Sequence, residues 1–314
     1  MNVIFMGTGD FALETLKALY SYPDISISVV TQTDKPKGRG HKVVFDCVKE
    51  YALEKELEVF QPENLKKEHF EDFLNSHSPR LIVVASYGKI LPSYVINYPK
   101  MGCVNVHASL LPKYRGAAPI NRVIMDGEKE TGISLMYMDE GLDTGDIICQ
   151  STVEIGKMNV GELRKTLAKM GGELLKSKLK ELLESRLPAS KQDPDLASYA
   201  NKITGEDRPL DFTLNAENVF NKIRGLSPIP GATCTVESSG LKLKILEAEV
   251  KDCELKDSKP GELIDPSGMK KNTLAIRCKD KALILKTVQP EGSKVMDAAS
   301  LSNGRKLCYP DKLI

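Results

Sequence analysis

The sequence lacks any long apolar run, and this absence limits where the protein can reside. No stretch of the 314 residues approaches the roughly eighteen consecutive apolar residues that a membrane-spanning helix needs. The apolar segment after Met1 covers only Val3 to Met6, which is too short for a secretory signal peptide. We therefore expect a cytoplasmic protein with no membrane partner.

Patterns for disulfides and for metal ions are also missing. The chain has seven Cys and four His, yet it has no Cys-x-x-Cys pair. Such thiols fit neither a disulfide framework nor a zinc site. The histidines are scattered along the chain at His41, His69, His77 and His107. We expect reduced cysteines and no metal ion.

Charge of one sign is not in excess either, since 44 Lys and Arg stand against 43 Asp and Glu. The formal net charge of +1 gives no overall signal for nucleic-acid binding. Any polyanion would therefore have to be bound by a local group of cations.

What the sequence does contain is an alternation of apolar runs and amphipathic segments over residues 1–187. This alternation predicts an α/β domain with a Rossmann-like parallel sheet and helices layered on it. Strands are predicted at 3–6, 25–31, 81–85, 101–106 and 133–138, and helices at 11–20, 42–57, 64–76, 117–126 and 159–184. Asn159 and Glu162 have the spacing of a capping box at the start of the last helix.

The alternation stops at residues 188–208, where Pro188 and Pro194 interrupt a polar stretch typical of a linker. The linker separates an N-terminal domain at 1–187 from a C-terminal domain at 209–314. In the second part, a predicted helix at 216–224 is followed by short predicted strands at 232–236, 241–248, 273–278 and 282–288. This pattern favours a small β-barrel of the oligonucleotide-binding (OB) type, although a plain β-sandwich fits it too.

The segment from Gly7 to Ala12 fits the G-x-G-x-x-A pattern of dinucleotide-binding turns. On that basis the chain would be a nicotinamide-dependent dehydrogenase, with Asp34 as the acidic residue that binds the ribose. Asp34, however, lies in a cationic loop rather than at the end of a strand. We therefore favour a tight strand-to-helix turn that needs glycine, although its helix N-terminus would still suit an anion.

Asn105 and His107 are the first candidates for catalysis. They stand two residues apart at the end of a predicted strand, so both side chains point to one face at the carboxyl edge of a parallel sheet. An amide and an imidazole at that edge can stabilise an oxyanion and transfer a proton when an amine attacks a carbonyl carbon. A lone histidine at a strand end is, however, more often simply packed there.

A third segment, from Met138 to Ile147, favours the catalytic interpretation. Its glycines and carboxylates predict a tight loop between two strands, which can bring Asp143 beside His107. A carboxylate there would fix the orientation of the imidazole and favour its protonated form. Taken alone, such a loop would be an ordinary turn.

Together these residues form a motif that resembles the folate-dependent formyltransferase family. It runs Asn105-x-His107-x-Ser109-Leu-Leu-Pro112 and then Gly141-Leu-Asp143-Thr-Gly145. By that resemblance the catalytic residues are Asn105, His107 and Asp143. Matching segments at 31–40, 60–62, 83–92, 115–119 and 288–292 extend the resemblance over nearly the whole chain. They are most similar to the family members that formylate the methionine carried by initiator methionyl-tRNA.

The resemblance implies that 10-formyltetrahydrofolate is the formyl donor. The implied folate-binding residues are Tyr87, Lys89, Ile90, Leu91, Ser109, Leu110, Leu111, Pro112 and Glu140. The segment 87–91 itself combines apolar side chains with backbone donors after a strand, as a pocket for a flat heteroaromatic ring requires. An ordinary strand-to-helix connection would have the same composition.

The resemblance also implies that initiator methionyl-tRNA is the acceptor, and that a monomer binds it through Lys35, Lys37, Arg39, Lys42 and Arg115. Gly38 and Gly40 interleave the basic residues and allow the loop to reshape around RNA. A solvated turn is the ordinary alternative for such a run of charge. Further candidates for RNA contacts in the predicted barrel are Lys270, Lys271, Arg305 and Lys306.

Two positions depart from the family's pattern. Gly9 stands where proline is common, and Ile229 stands where tryptophan is common, in a chain that has no Trp at all. Neither is one of the three catalytic positions. The alternatives that remain are a formyltransferase acting on an amino-sugar nucleotide, which would share the Asn-x-His and Leu-Leu-Pro elements, and a tRNA-binding protein without activity.

Overall fold

A computed structural model describes residues 1–37, 42–252, 258–264, 273–304, 306–307 and 309–314. The predictions for Arg39, Lys270, Lys271 and Arg305 lie outside these residues. Lys35, Lys37 and Lys42 are described by their backbone alone. Among the described residues, no helix is both long enough and apolar enough to cross a bilayer.

The chain divides into two compact units. The first comprises residues 1–119, 130–154 and 164–201, and the second comprises 120–129, 155–163 and 202–314. Residues 188–201 of the predicted linker therefore belong to the first unit. The predicted domain bounds, 1–187 and 209–314, stay a prediction.

The first unit contains a mixed sheet of seven strands in the order β5-β2-β1-β6-β7-β8-β9. The strands are β1 (Asn2–Gly7), β2 (Ser26–Val30), β5 (Glu58–Phe60), β6 (Leu81–Ala85), β7 (Cys103–His107), β8 (Glu130–Tyr137) and β9 (Ile147–Glu154). Pairing is parallel from β5 through β7 and antiparallel from β7 to β9. The turn from β8 to β9 is too short for the crossover that a parallel pair would need, so this edge of the sheet reverses direction.

Helices cover this sheet: α1 (Asp10–Tyr20), α2 (Cys47–Glu54), α3 (Lys67–His77), α4 (Ser93–Ile96) and most of α6 (Val160–Glu184). Helix α5 (Pro119–Met125) belongs to the second unit from residue 120 onward. On one face, Phe70 and Leu74 of α3 join Ile4 and Ile82 of the strands in a buried cluster. Elsewhere α6 approaches the strands so closely that a Cβ on Gly171 would lie 2.8 Å from Val106. The parallel strands are therefore buried, which explains their continuous apolar sequence.

Two local predictions have clear outcomes. The capping box is confirmed, because Asn159 N donates to Glu162 Oε2 at 2.9 Å and Glu162 N donates to Asn159 Oδ1 at 3.0 Å. The helix predicted at 42–57 is wrong at its start. Residues Lys42–Val44 form β4, which pairs antiparallel with β3 (Lys35–Lys37), and the helix begins only at Cys47. Asp46 caps that helix by accepting from Val48 N at 3.0 Å.

The second unit contains a curled antiparallel sheet, as a small barrel requires. Its elements are α7 (Ala216–Leu226), β10 (Ala232–Thr235), β11 (Lys242–Lys251), β12 (Ala275–Arg277), β13 (Ala282–Pro290), β14 (Met296–Asp297) and α8 (Ala299–Asn303). The strand order is β10-β11-β13-β12, with β14 also paired to β13. Register shifts in β11 between Ile245 and Ala248 increase the local twist of the sheet. Val219 and Ile223 of α7 fill the core of the curled sheet.

Asp207 forms a charged contact within the second unit. It accepts from Arg122 Nη1 at 2.7 Å and from Thr204 N at 2.8 Å. The hydrogen bond from Arg122 is the main cause, and that from Thr204 a smaller one, of a pKa of Asp207 below its ordinary value. We expect Asp207→Asn to lower the free energy of unfolding by about 1.5 kcal/mol at pH 7, since hydrogen bonds to charged groups contribute roughly 1.5–3 kcal/mol.

This effect should depend on pH in a defined direction. Because the pKa of Asp207 is lower in the folded chain, its contribution is complete above the unfolded-state pKa of about 4 and is lost as the pH falls further. Urea titrations at pH 7 and pH 3 should therefore show a smaller difference at pH 3. Glu249→Gln, which removes an exposed ion pair with Lys286, is the control and should have less than half the effect. Equal effects of the two variants would contradict the expectation.

Candidate active site

Asn105 and His107 lie at the carboxyl end of β7, the last of the parallel strands. They are 9% and 6% exposed, and the alternation of the strand places them on the same face. On one side β7 pairs in parallel with β6, and on the other it pairs antiparallel with β8. The two side chains therefore stand where the sheet changes direction, next to the loops that follow β6 and β8.

Asp143 lies in the loop between β8 and β9, at φ +52°, a left-handed conformation that residues with side chains rarely adopt. The loop holds this shape through local contacts. Asp139 Oδ1 accepts from Gly141 N at 3.1 Å and from Thr144 Oγ1 at 2.6 Å. A Cβ on Gly145 would overlap the carbonyl oxygen of Tyr137, so only glycine fits at that position.

The structure brings the three predicted catalytic residues together. Asn105 Nδ2 donates to Asp143 Oδ1 at 3.3 Å, and His107 Nδ1 lies 3.7 Å from Asp143 Oδ2. The second distance is too long for a direct hydrogen bond, yet the carboxylate is close enough to stabilise a positive charge on the ring. Asp143 Oδ2 also accepts from Gly116 N at 2.8 Å, which fixes the carboxylate from the opposite side.

The remaining contact of His107 determines which ring nitrogen is free. His107 Nε2 lies 3.0 Å from the carbonyl oxygen of Tyr114, which can only accept a hydrogen bond. Nε2 must therefore carry the proton, and the lone pair of the neutral ring is on Nδ1. Nδ1 is the nitrogen that faces Asp143, so the base and the carboxylate point into the same space.

Gly116 shows why the Arg-Gly-Ala-Ala-Pro segment matters for this site. Its φ is +113°, and an added Cβ would lie 3.1 Å from the carbonyl oxygen of Ala200. Glycine thus allows the backbone to turn its N–H toward Asp143. The sequence pattern did not indicate this role of Gly116, because the contact depends on the direction of a backbone N–H.

The segment from Tyr87 to Leu91, predicted to bind folate, follows the carboxyl end of β6, and His107 is the last residue of the neighbouring strand β7. Ser86 and Gly88 have positive φ angles of 49° and 76°, and among the described residues no protein acceptor lies opposite any backbone N–H from 87 to 91. Ile90 is 89% exposed, whereas Leu91 is buried. The segment therefore offers unpaired backbone donors beside apolar side chains, which fits a flat heteroaromatic ring such as a pterin.

Two other side chains of this segment are held by the protein. Lys89 Nζ donates to the carbonyl oxygens of Pro62 and Glu63, both at 2.9 Å. Tyr87 is buried, its hydroxyl has no hydrogen-bond partner among the described residues, and burial raises the pKa of Tyr87 to about 12. The hydrogen bonds of Lys89 and the burial of Tyr87 therefore help to hold the segment in place.

The predicted folate-binding residues after β7 differ in how far they are buried. Ser109 is buried, and its hydroxyl donates to the carbonyl oxygen of Lys113 at 2.7 Å, while Leu111 is buried and its N–H donates to Ser134 Oγ at 3.0 Å. Leu110 is half-buried, and Pro112 follows a cis peptide bond. Glu140, in the loop of Asp143, is exposed. Of the predicted folate contacts here, Leu110 and Glu140 have surface available, whereas Ser109 and Leu111 maintain the loop.

The dinucleotide alternative conflicts with the contacts around Gly9. Gly9 N donates to both carboxylate oxygens of Asp46, at 3.0 and 3.1 Å, so a negative charge already occupies the N-terminus of α1. Asp34 is bound by Lys49 and by Gln61, and the hydrogen bond from Lys49 lowers the pKa of Asp34. A pyrophosphate would be repelled by Asp46, and Asp34 is engaged within the protein.

The predicted RNA-binding residues are only partly described. Lys35 and Lys37 lie on β3 and Lys42 lies on β4, so their backbones form one antiparallel ribbon. Arg115 does not fit the prediction of an RNA contact. It is 5% exposed, and its Nε and Nη2 donate to Gln192 Oε1 at 3.1 and 2.8 Å. The family resemblance implied an RNA contact for Arg115, but its guanidinium is buried in the folded chain.

The chain matches known families over both parts. The profile of the formyl transferase family matches residues 1–179, and that of the formyl transferase C-terminal domain matches residues 202–306. A methionyl-tRNA formyltransferase from Carboxydothermus hydrogenoformans is 44% identical, over 97% of this chain and 96% of the relative. Another from Caldanaerobacter subterraneus is 45% identical, over 94% of each chain.

A solved structure supports the fold. It is an N-formyltransferase from Helicobacter canadensis in complex with folinic acid and dTDP-3-aminofucose, with a TM-score of 0.64 and 18% identity over 90% of this chain and 98% of its own. Similarity at that level of identity concerns the fold alone. The sequence identity to the curated relatives carries the assignment, and the chain belongs to the methionyl-tRNA formyltransferases.

Proposed function

We propose that this protein transfers the formyl group of 10-formyltetrahydrofolate to the amino group of methionine on initiator methionyl-tRNA, giving formylmethionyl-tRNA for translation initiation. The observation that carries the proposal is the convergence of Asn105, His107 and Asp143 at the carboxyl edge of the sheet, in a chain 44% identical to a methionyl-tRNA formyltransferase.

In this proposal His107 is the general base. Its Nδ1 lone pair accepts a proton from the amino group as the amine nitrogen bonds to the formyl carbon, and the bond from that carbon to the folate nitrogen then breaks. Asp143, 3.7 Å from Nδ1, stabilises the imidazolium that results. The proton is then available on His107 for the departing folate nitrogen.

Asn105 stabilises the oxygen of the formyl group. Its amide has two N–H bonds, and Asp143 accepts from only one of them. The second N–H is available for the negative charge that develops on the formyl oxygen during attack. Because its partner Asp143 also faces His107, one carboxylate positions both catalytic groups.

The folate would bind beside this trio along the segment from Tyr87 to Leu91. The strands that carry the two features are neighbours, since Val84 of β6 pairs with Asn105 of β7. The unpaired backbone donors of 87–91, the half-buried Leu110 and the exposed Glu140 are the groups available to a pterin. This arrangement would place the formyl group at the end of β7.

The tRNA would be bound by local groups of cations, because the net charge of the chain is only +1. Lys35, Lys37, Arg39 and Lys42 supply one such group on and around the β3–β4 ribbon. In the second unit, an open cavity of about 550 Å³ is lined in part by Arg208, Lys242 and Lys244. Lys306 is exposed in the same unit. We further propose that the protein is a cytoplasmic monomer.

The experiment that tests this function is a formyl-transfer assay with three acceptors side by side: methionyl initiator tRNA, uncharged tRNA and an amino-sugar nucleotide. Formylation of the charged tRNA alone is the expected result. Formylation of the sugar nucleotide alone would replace the proposal with its nearest rival, and binding of tRNA without any transfer would reduce the protein to an RNA-binding protein.

The same assay tests the RNA contact proposed for Arg39. Between two glycines, an arginine can approach RNA closely and offer a planar pair of donors, which a lysine cannot reproduce. We expect Arg39→Ala to lower kcat/KM for charged initiator tRNA severely, Arg39→Lys to restore part of it, and folate binding to stay unchanged. Wild-type kcat/KM in Arg39→Ala over a salt series would restore the solvated-turn interpretation.

A further inference from the structure

The segment after α6 is hydrogen-bonded to two loops of the proposed active site. Ser190 forms a pair of backbone hydrogen bonds with Ile147 at the start of β9, both at 2.8 Å. Further along, Arg115 N donates to Ser198 O at 2.9 Å and Ala200 N donates to Arg115 O at 2.7 Å. The segment is thus attached to the loop of Asp143 at one end and to the loop of Gly116 at the other. Gln192 lies between these two attachments.

The side chain of Gln192 joins the two loops. Its Nε2 donates to the carbonyl oxygens of Asp143 at 2.9 Å and of Gly145 at 2.7 Å. Its Oε1 accepts from Nε and Nη2 of Arg115 at 3.1 and 2.8 Å. Both amide hydrogens and the amide oxygen are therefore used, and each contacts a segment that lines the site.

One of the carbonyls that Gln192 binds belongs to a residue with an unfavourable backbone conformation. Asp143 has a left-handed backbone at φ +52°, which is unfavourable for a residue with a side chain. The hydrogen bonds from Gln192 hold the backbone at Asp143 and at Gly145. Asp143's carboxylate is held separately by Gly116 N at 2.8 Å, and Gly116 directly follows Arg115, the other partner of Gln192.

We propose that Gln192 is a positioning residue for formyl transfer, which acts through Asp143 by holding its backbone so that the carboxylate stays opposite His107. This inference rests on the proposed function. Gln192 touches neither His107 nor Asn105 in the contacts above, so its influence on the reaction passes through the loop. An amide is required because the position needs two donors on one atom and an acceptor on the other.

Two substitutions separate the parts of this role. Gln192→Ala removes every contact, whereas Gln192→Glu keeps the size and the pairing with Arg115 but places an oxygen against two carbonyl oxygens. We expect both to lower kcat by about ten- to a hundredfold, as misplacement of a catalytic group by about 1 Å does. The KM values for the folate and for the charged tRNA should stay within about twofold.

A matched control is available at the other edge of the sheet. Asn2 Nδ2 also donates to a backbone carbonyl, that of His77 at 2.7 Å, but it lies at the amino end of β1. Asn2→Asp should leave kcat unchanged. Thermal unfolding of each variant, followed by circular dichroism, verifies that the compared proteins are folded.

The decisive measurement is a double-mutant cycle with Asp143→Ala. If Gln192 acts through Asp143, Gln192→Ala should lower kcat in the wild-type background and have almost no further effect once the Asp143 carboxylate is gone. An undiminished loss in the Asp143→Ala background, or a wild-type kcat in both Gln192 variants, would overturn the inference. Failure of the wild-type protein itself to formylate charged tRNA would instead overturn the proposed function, so the two failures are distinguishable.

Discussion

Replacing His107 with alanine is expected to lower kcat for formyl transfer by at least about a hundredfold, and Asn105→Ala should have an effect of the same order. The first change removes the Nδ1 lone pair that accepts the amine proton, and the second removes the amide N–H that would stabilise the oxyanion. Both variants keep every cation proposed to bind RNA, so tRNA affinity should be nearly unchanged. Single-turnover kinetics with saturating folate measure the chemical step directly.

The chain supplies a matched histidine control for this experiment. His77 also makes a charged contact, since its Nε2 lies 2.6 Å from Glu58 Oε2, but it ends α3 and lies away from the carboxyl edge of the sheet. His77→Ala should retain near-normal turnover. If His107→Ala did so as well, the histidine at the end of β7 would be a packed residue with satisfied hydrogen bonds, and its catalytic role would be gone.

Asp143→Asn is the second change with a large expected effect, and we expect kcat to fall by about a hundredfold. The substitution keeps the size of the side chain but removes the negative charge 3.7 Å from His107 Nδ1. It also replaces one carboxylate oxygen with an NH2 group, which cannot accept a hydrogen bond. In the wild type Gly116 N donates to one of these oxygens and Asn105 Nδ2 donates to the other. One of these two contacts must therefore be lost or rearranged.

The measurement is again kcat under single-turnover conditions, taken across the pH range in which the enzyme is stable. The rate should be lower in Asp143→Asn than in the wild type throughout that range, because the neutral amide has no negative charge to stabilise the imidazolium formed during transfer. Asp211→Asn removes a carboxylate that accepts from Thr213 in the second unit, and it should leave the chemical step unchanged. Full activity of Asp143→Asn throughout the range would reduce Asp143 to a turn residue.

The elements that could be predicted from the sequence depend on neighbours along the chain. Apolar runs located the buried strands β1 and β6, and strand alternation placed Asn105 and His107 on one face. The capping box at Asn159 is likewise complete within four residues. By contrast, the helix predicted to begin at residue 42 begins at Cys47, because Lys42 to Val44 pair with a strand that a helical pattern does not reveal.

Strand β5 was not among the predicted elements, and the strand expected after the loop of Asp143, which is β9, was predicted without bounds. In β9, exposed and half-buried residues alternate from Gln150 onward, so its apolar run covers only residues 147–149. The partner strand supplies its hydrogen bonds, and pairing depends on residues distant in sequence. The burial of Arg115 was not evident from the sequence either, because its partner, Gln192, is contributed by the segment after α6.

The sequence by itself determined the fold class of the first unit, the residues of the motif and the family to which the chain belongs, because these depend on residue type and local spacing. The tertiary structure decided how the site is held. Gly116 N reaches the Asp143 carboxylate, the carbonyl of Tyr114 fixes the proton on His107 Nε2, and Gln192 joins two loops. These contacts link backbone atoms whose direction follows from positive φ angles and long-range folding, and no local pattern of side chains encodes that direction.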